Sequence, residues 1–367
     1  MVDILKKLYY ERKNIIDRLS STDKNKEYLE DCLHLLDNNI SMIETNYTKS
    51  SIKNIDDINI TLFSSLRGVD LIDLLQFIKM YNINYREIIN VDTSITFGVE
   101  IEYENLFLYT ARDFVLDNNI KWHVKHEDNV LNGGEIVSNV MYDSKDNWNN
   151  LKKICDFLKT NGATTKFGTC GGHIHIGLPI FNCEENYFKF LKCYMLYEDI
   201  LNRFFCGEYV NIRKNAKEYA DLCKNYIIDK NNSYYYIPRT KGLYTTCFSF
   251  NIFGDKNTLE FRRPNGTLEE VIWQNNINVI IKLILAINSN NFDIDYIINK
   301  LKTNKDRIIN KYDSAYDHEL NLEKALEFVD LFYDNNLDKI NFLKQYIKGY
   351  ELSLKRKELV RTNKFWV

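Results

Sequence analysis

Up to about residue 90 the apolar positions recur at helical spacing. Ile4, Leu5, Leu8, Ile15, Ile16 and Leu19 fall on one face, and Tyr28, Leu29, Cys32, Leu33, Leu36, Ile40 and Ile43 form a second stripe. Residues 70–81 (DLIDLLQFIKMY) predict a third, shorter helix. Near residue 95 the period changes to two. In ITFGVEIEYE (95–104), Phe97, Val99, Ile101 and Tyr103 point one way, and Gly98, Glu100, Glu102 and Glu104 the other, which predicts a strand with an apolar and an acidic face. A helix is expected over 108–118. KWHVKHED and GGEIVSNV (133–140) predict strands or a hairpin. WNNLKKICDFLKTNGA (148–163) predicts an amphipathic helix stopped at Asn161-Gly162.

The next alternating segment is GGHIHIGL. It sets His173, His175 and Gly177 on one face and Ile174, Ile176 and Leu178 on the other. A long, largely buried helix is expected over 184–205, and another over 212–226. CFSFNIFG (247–254) and NTLEFRRP (257–264) predict two strands joined by a turn. GTLEEVIWQNNINVIIKLILAI (266–287) predicts a helix opened by a Thr267–Glu270 capping box, and the chain beyond it reads as mostly helical. The pattern as a whole is α+β. It divides into a helical N-terminal region (1–90), an α+β domain (91–290) and C-terminal helices (291–367) packed on that domain.

Composition narrows the class. The 367 residues are 45% hydrophobic and 27% charged with a net charge of -3, so neither nucleic acid nor a membrane surface is an expected partner. MVDILKKLYYERK lacks the apolar core of a signal peptide, and VIIKLILAI (279–287) is too short for a span. A cytoplasmic location is the expectation. The 8 cysteines form no CxxC pair, which disfavours a zinc ribbon or a thioredoxin-type centre. No GxxxxGK[ST] occurs, so a P-loop is excluded.

Four predicted strands each place ionisable groups on one face. Glu100 and Glu102 would sit roughly 6.5–7 Å apart between Cα atoms, a like-charge spacing that a cation would relieve. Glu135 follows two glycines at the start of EIVS. His173 and His175 share a face, where paired imidazoles ligate a metal or line a polar cleft. Glu260 and Arg262 share a face of TLEFRRP. Four glutamates, two histidines and an arginine make an oxygen-rich set suited to Mg²⁺ or Mn²⁺ with a nucleoside triphosphate. Gly98, Gly171, Gly172 and Gly177 are expected to clear room for that ligand.

The order E-x-E, EIVS, GGHIHIG, LEFR-P resembles the putative amidoligase family of the carboxylate–amine ligase superfamily, which includes glutamine synthetase and glutamate–cysteine ligase. The resemblance runs from about Thr96 to about Leu268. It implies a curved, largely antiparallel sheet of the glutamine-synthetase catalytic type, with metals and ATP on its concave face. By the same resemblance Glu100, Glu102, Glu135, His173 and Glu260 are metal ligands, and His175 approaches the nucleotide. Glu260 and Arg262 are catalytic, with Arg262 facing the transferred phosphate. Arg263 and Arg239 are further phosphate contacts. Glu127-Asp128-Asn129 stands where relatives carry an Asp-Gly-Ser-like turn, with Asp128 in the acidic position. The implied activity is ATP- and Mg²⁺- (or Mn²⁺-) dependent joining of a carboxylate to an amine through an acyl phosphate, with Glu104 or Asp128 as candidate bases. The substrates would be an amino acid, peptide or protein, and the superfamily's larger assemblies leave an oligomer open. Two other readings stand beside it: a zinc hydrolase built on His173 and His175, and a non-catalytic interaction protein that keeps the sheet.

Overall fold

The computed structural model describes residues 2–21, 26–46, 50–165, 168–209, 212–213, 216–220, 222, 248–251, 257–303 and 321–347. The chain falls into two compact units, Met1–Asn82 and Ile83–Val367. In the first, α1 (Val2–Ser21) and α2 (Lys26–Asn46) pack on each other, with an Arg12–Asp37 ion pair at 2.5 Å between them. The α2 stripe buries Leu29, Leu36 and Ile40, but Tyr28, assigned to that stripe by spacing, is exposed. The third helix, α3 (Val69–Met80), buries Leu71, Leu74 and Ile78, one face at i, i+3 and i+7.

The second unit begins before residue 90 because Asp143 holds the lead-in segment. Its carboxylate accepts from Ile89 N (2.9 Å), Val91 N (3.0 Å) and Trp148 Nε1 (2.7 Å). Arg86 adds an ion pair to Asp338 at 2.8 Å. From here the chain builds β1 (Phe97–Tyr103), α4 (Leu108–Asp117), β2 (His123–Lys125), β3 (Gly134–Val137) and α5 (Lys145–Thr160). Next come β4 (Gly172–Gly177), α6 (Glu184–Phe204) and a short helix α7 (Ala216–Tyr219); of the helix expected over 212–226, the other described residues, 212–213, 220 and 222, are not helical. Then follow β5 (Phe248–Asn251), β6 (Thr258–Phe261), α8 (Glu270–Asn288), α9 (Ile294–Thr303) and α10 (Leu322–Phe332), with residues 336–347 helical after them.

The six strands form one sheet in the order β2-β3-β1-β4-β6-β5, and every neighbouring pair is antiparallel. Its apolar face carries Phe97, Val99, Ile101, Ile136, Ile174, Ile176, Leu259 and Phe261, all buried. Helices cover that face. Phe97 meets Trp148 of α5 with ring centroids 5.3 Å apart, and Phe261 meets Phe190 and Tyr194 of α6. α8 packs on α5 and α6, and α9 and α10 pack on α6. α8 is the one described helix long and apolar enough to cross a membrane. In this fold it is a core helix, whose buried Gln274 and Asn275 bond to Arg86 and Gln345.

Two local expectations change. α5 starts three residues early because the Ser144 hydroxyl caps it by accepting from Asn147 N. The capping box at Thr267 does not form. Glu270 is the first residue of α8, too early to reach back, and its carboxylate pairs instead with Lys152 and Lys159 of α5, at 3.1 Å each. The Thr267 hydroxyl accepts from Glu269 N and donates to Glu208.

Candidate functional site

Register, more than strand identity, assembles the site. Directly opposed residues of an antiparallel pair share a face. One row runs Lys125–Glu135–Glu102 from β2 through β3 to β1. A second pairs Glu100 with His173, and a third pairs Gly98, His175 and Glu260 across β1, β4 and β6. Arg262 follows Glu260 by two residues, just past the end of β6. Thus Glu100, Glu102, Glu135, His173, His175 and Glu260 converge on one sheet face, and all six are buried.

The contacts are close. His173 Nδ1 donates to Glu100 Oε2 at 3.1 Å and lies 3.6 Å from Glu260 and 4.0 Å from Glu135. Its Nε2 faces Glu102 at 3.5 Å. His175 Nδ1 bonds the Thr258 hydroxyl at 3.0 Å, which turns Nε2 toward Glu100 at 3.2 Å. Arg262 Nη1 pairs with Glu260 Oε1 at 2.5 Å, and Glu102 accepts from Gly171 N at 2.5 Å. Two sets of ligand atoms lie within 4.8 Å of one another: Glu100, Glu135 and His173, and Glu100, His175 and Glu260. Glu100 belongs to both. The two histidines therefore fall into different sets, each with two carboxylates.

These carboxylates titrate differently. Burial alone would raise Glu100, but hydrogen bonds and charge from His173 and His175 outweigh it and hold the carboxyl below its ordinary range. Glu260 is also lowered: burial works against this, and His173, Arg262 and His175 prevail. Glu135 goes the other way, to about 8, because burial and the Glu100 charge exceed the help of Lys125. A set of buried, mutually repelling carboxylates is the environment a divalent cation stabilises. His175 turns a buried Nε2 toward Glu100, while His173 presents Nδ1 to Glu100, Glu135 and Glu260, so each set has one imidazole nitrogen beside its carboxylates. The donor set therefore fits divalent cations.

Several expected roles move. Arg263 does not face the site. It follows Phe261 by two residues, so its side chain lies on the helix-covered side, where it donates to Asn202 of α6 and to Ala220 O. Asp128 is almost fully exposed and pairs with His126 on the β2–β3 loop, outside the cluster. Glu104 is buried beside the site face, bonded to the Thr169 hydroxyl and to Leu131 N. The glycines make room for the protein itself: a Cβ at Gly171 would come 2.7 Å from Arg213 Nη1 and from His173 Nε2, and one at Gly172 would come 2.6 Å from Asn265 O. Cys170 is buried, and burial and the Glu104 and Glu102 charges push its thiol up, which disfavours the thiolate. Arg239 and the Tyr-rich stretch 231–244 lie outside the described residues.

Residues not singled out from sequence complete the frame. Arg213, in the irregular segment after α6, donates to Pro264 O (2.7 Å) and Arg262 O (2.8 Å), and its own N–H is held by Asn265. Burial lowers it to about 10. It pins the backbone that carries Arg262. Nothing periodic marks it. Lys125 and Thr258 are legible only once strand register is known.

One comparison bears on this geometry. Residues 111–284 match the family model described as "putative amidoligase enzyme". The amidoligase match takes in Glu135, His173, His175, Glu260 and Arg262, while Glu100 and Glu102 lie ahead of it on the strand that pairs with both β3 and β4. It is the family whose motif order the chain resembles. No curated protein matches the chain.

Proposed function

We propose that this amidoligase-family chain is an ATP-dependent carboxylate–amine ligase, with a sheet of the glutamine-synthetase catalytic type. The observation that carries the reading is the sharing of Glu100 between two carboxylate–histidine sets beside Arg262. Glu100, Glu135 and His173 would hold one Mg²⁺ or Mn²⁺, and Glu100, His175 and Glu260 a second, with Glu102 alongside. Bound there, the ions would neutralise the triphosphate and polarise its phosphoryl oxygens. His175 thus serves as an ion ligand rather than as a nucleotide contact alone.

The chemistry needs activation because a free carboxylate has no adequate leaving group. The substrate carboxylate displaces ADP at the γ-phosphorus, and the amine then displaces phosphate from the acyl phosphate. Arg262, tied to Glu260 and carried on backbone fixed by Arg213, would stabilise charge on the transferring phosphoryl group. His173 and Thr258-bound His175 are held in fixed ring orientations before ligand arrives, which lowers the reorganisation cost of binding. Of the two candidate bases Glu104, buried beside the site face, is retained, since Asp128 is exposed on the β2–β3 loop outside the cluster.

The zinc-hydrolase reading asks both histidines to bind one ion, and the ligand sets do not support that. Hydroxylamine tests the ligase reading without knowledge of the natural amine. Incubated with ATP, Mg²⁺, hydroxylamine and a panel of amino acids and peptides, the protein is expected to form a hydroxamate with stoichiometric ADP. ADP release with no hydroxamate from any acid would contradict the acyl-phosphate route.

A further inference from the structure

The edge strand β2 carries a cation that neither ion binding nor phosphoryl transfer employs. Lys125 stands opposite Glu135 in register, so it rises on the acidic face. Its Nζ lies 2.5 Å from Glu135 Oε2, while its side chain is 52% exposed. The other described arginines around β6 are committed. Arg213 is spent on two carbonyls, Arg263 is buried on the helix side, and Arg262 is paired with Glu260. Lys125 is therefore a solvent-facing positive group on this face, at the opposite edge of the carboxylate cluster from Arg262.

Any acid substrate meets a difficulty here. It is an anion approaching four carboxylates, and it is repelled until they are neutralised. In the ion-free site the Lys125 ammonium, 2.5 Å from Glu135 Oε2, is the positive charge at that carboxyl group. A divalent ion bound to Glu135 supplies that charge instead and repels the ammonium. We propose that Lys125 is a tethered cation that the divalent ion releases from Glu135, and that the released ammonium then binds an anionic group of the acid substrate at the β2 edge. The inference rests on the ligase reading for the identity of the anion. It makes the order of binding a consequence of charge: cation first, acid second.

Two measurements on the full chain test it, and neither uses turnover. The first is Mn²⁺ titration by calorimetry. Lys125→Met removes a positive charge beside an ion position, so Mn²⁺ should bind roughly threefold tighter or better, and Lys125→Arg should restore the wild-type affinity. Equal or weaker binding by Lys125→Met would overturn the proposal. The second follows acetylation of wild-type Lys125 by mass spectrometry, with exposed Lys121 on the same segment as internal reference. Mn²⁺ should speed Lys125 acetylation relative to Lys121, and sulfate, as probe anion, should slow it again only when Mn²⁺ is present. No acceleration, or no sulfate protection in the Mn²⁺-loaded protein, would overturn it. A protein that binds Mn²⁺ but not ATP would remove the ligase reading, and the acetylation rates would still decide whether the ion releases Lys125.

Discussion

Glu100→Gln is expected to abolish both divalent-ion positions, whereas Glu135→Gln and Glu260→Gln should each abolish one. Glu100 contributes to both ligand sets, and the other two carboxylates to one set each. Glutamine keeps the shape and one acceptor oxygen, so the His173 contact can persist while the charge is lost. Removing a residue that merely supports a metal ligand commonly costs 10–100-fold in affinity, and loss of the shared ligand should cost at least about 100-fold at each position. Mn²⁺ titration read by calorimetry or electron paramagnetic resonance gives the count directly. Wild type should show two ions, Glu135→Gln and Glu260→Gln one each, and Glu100→Gln none. The change forfeits the charge pairing of Glu100 with His173 and His175, so urea unfolding accompanies the titration to establish that the variant is folded. A Glu100→Gln protein that keeps one tight ion would show that the two sets do not share this residue.

The second large effect lies away from the ions. Asp143→Ala is expected to destabilise the second unit by about 3–5 kcal/mol. The carboxylate is buried and accepts three hydrogen bonds, from Ile89 N, Val91 N and Trp148 Nε1. Alanine strands all three donors away from solvent. An asparagine side chain retains one acceptor oxygen, so Asp143→Asn should cost roughly half as much. Urea unfolding measures the loss, and hydrogen exchange at Ile89 and Val91 locates it. Ordinary protection of those two amides in the alanine variant would show that Asp143 does not hold the lead-in to β1.

Much of this is legible in the sequence because period-two alternation is a local signal. FGVEIEY and GHIHIG each announce a strand with its chemistry on one side, and the apolar partners of those residues are indeed the core. What alternation cannot give is register. That Glu135 lies opposite Glu102, and Lys125 opposite Glu135, depends on how β2, β3 and β1 slide past one another. Arg263 departs from its expected role for a related reason: parity along a strand puts it with Phe261, on the helix side, whatever its charge. The glycines suggest space for a ligand, but the groups that fill their space, Arg213, His173 and Asn265, come from residues near and far in the chain. Thr267 and Glu270 match a capping box in sequence alone, because two lysines on α5 claim the glutamate. In each case a tertiary partner decides between locally equal options.

The ligase reading of this acidic sheet face depends on its binding a metal–nucleotide complex. The test is ATP binding by calorimetry, in Mg²⁺ or Mn²⁺ and again in chelator, for wild type and Glu100→Gln. Wild type is expected to bind ATP with either ion and not in chelator, and a folded Glu100→Gln protein is expected to bind none. A folded wild type that binds no ATP with either ion, or binds it equally well without any, would contradict the proposal.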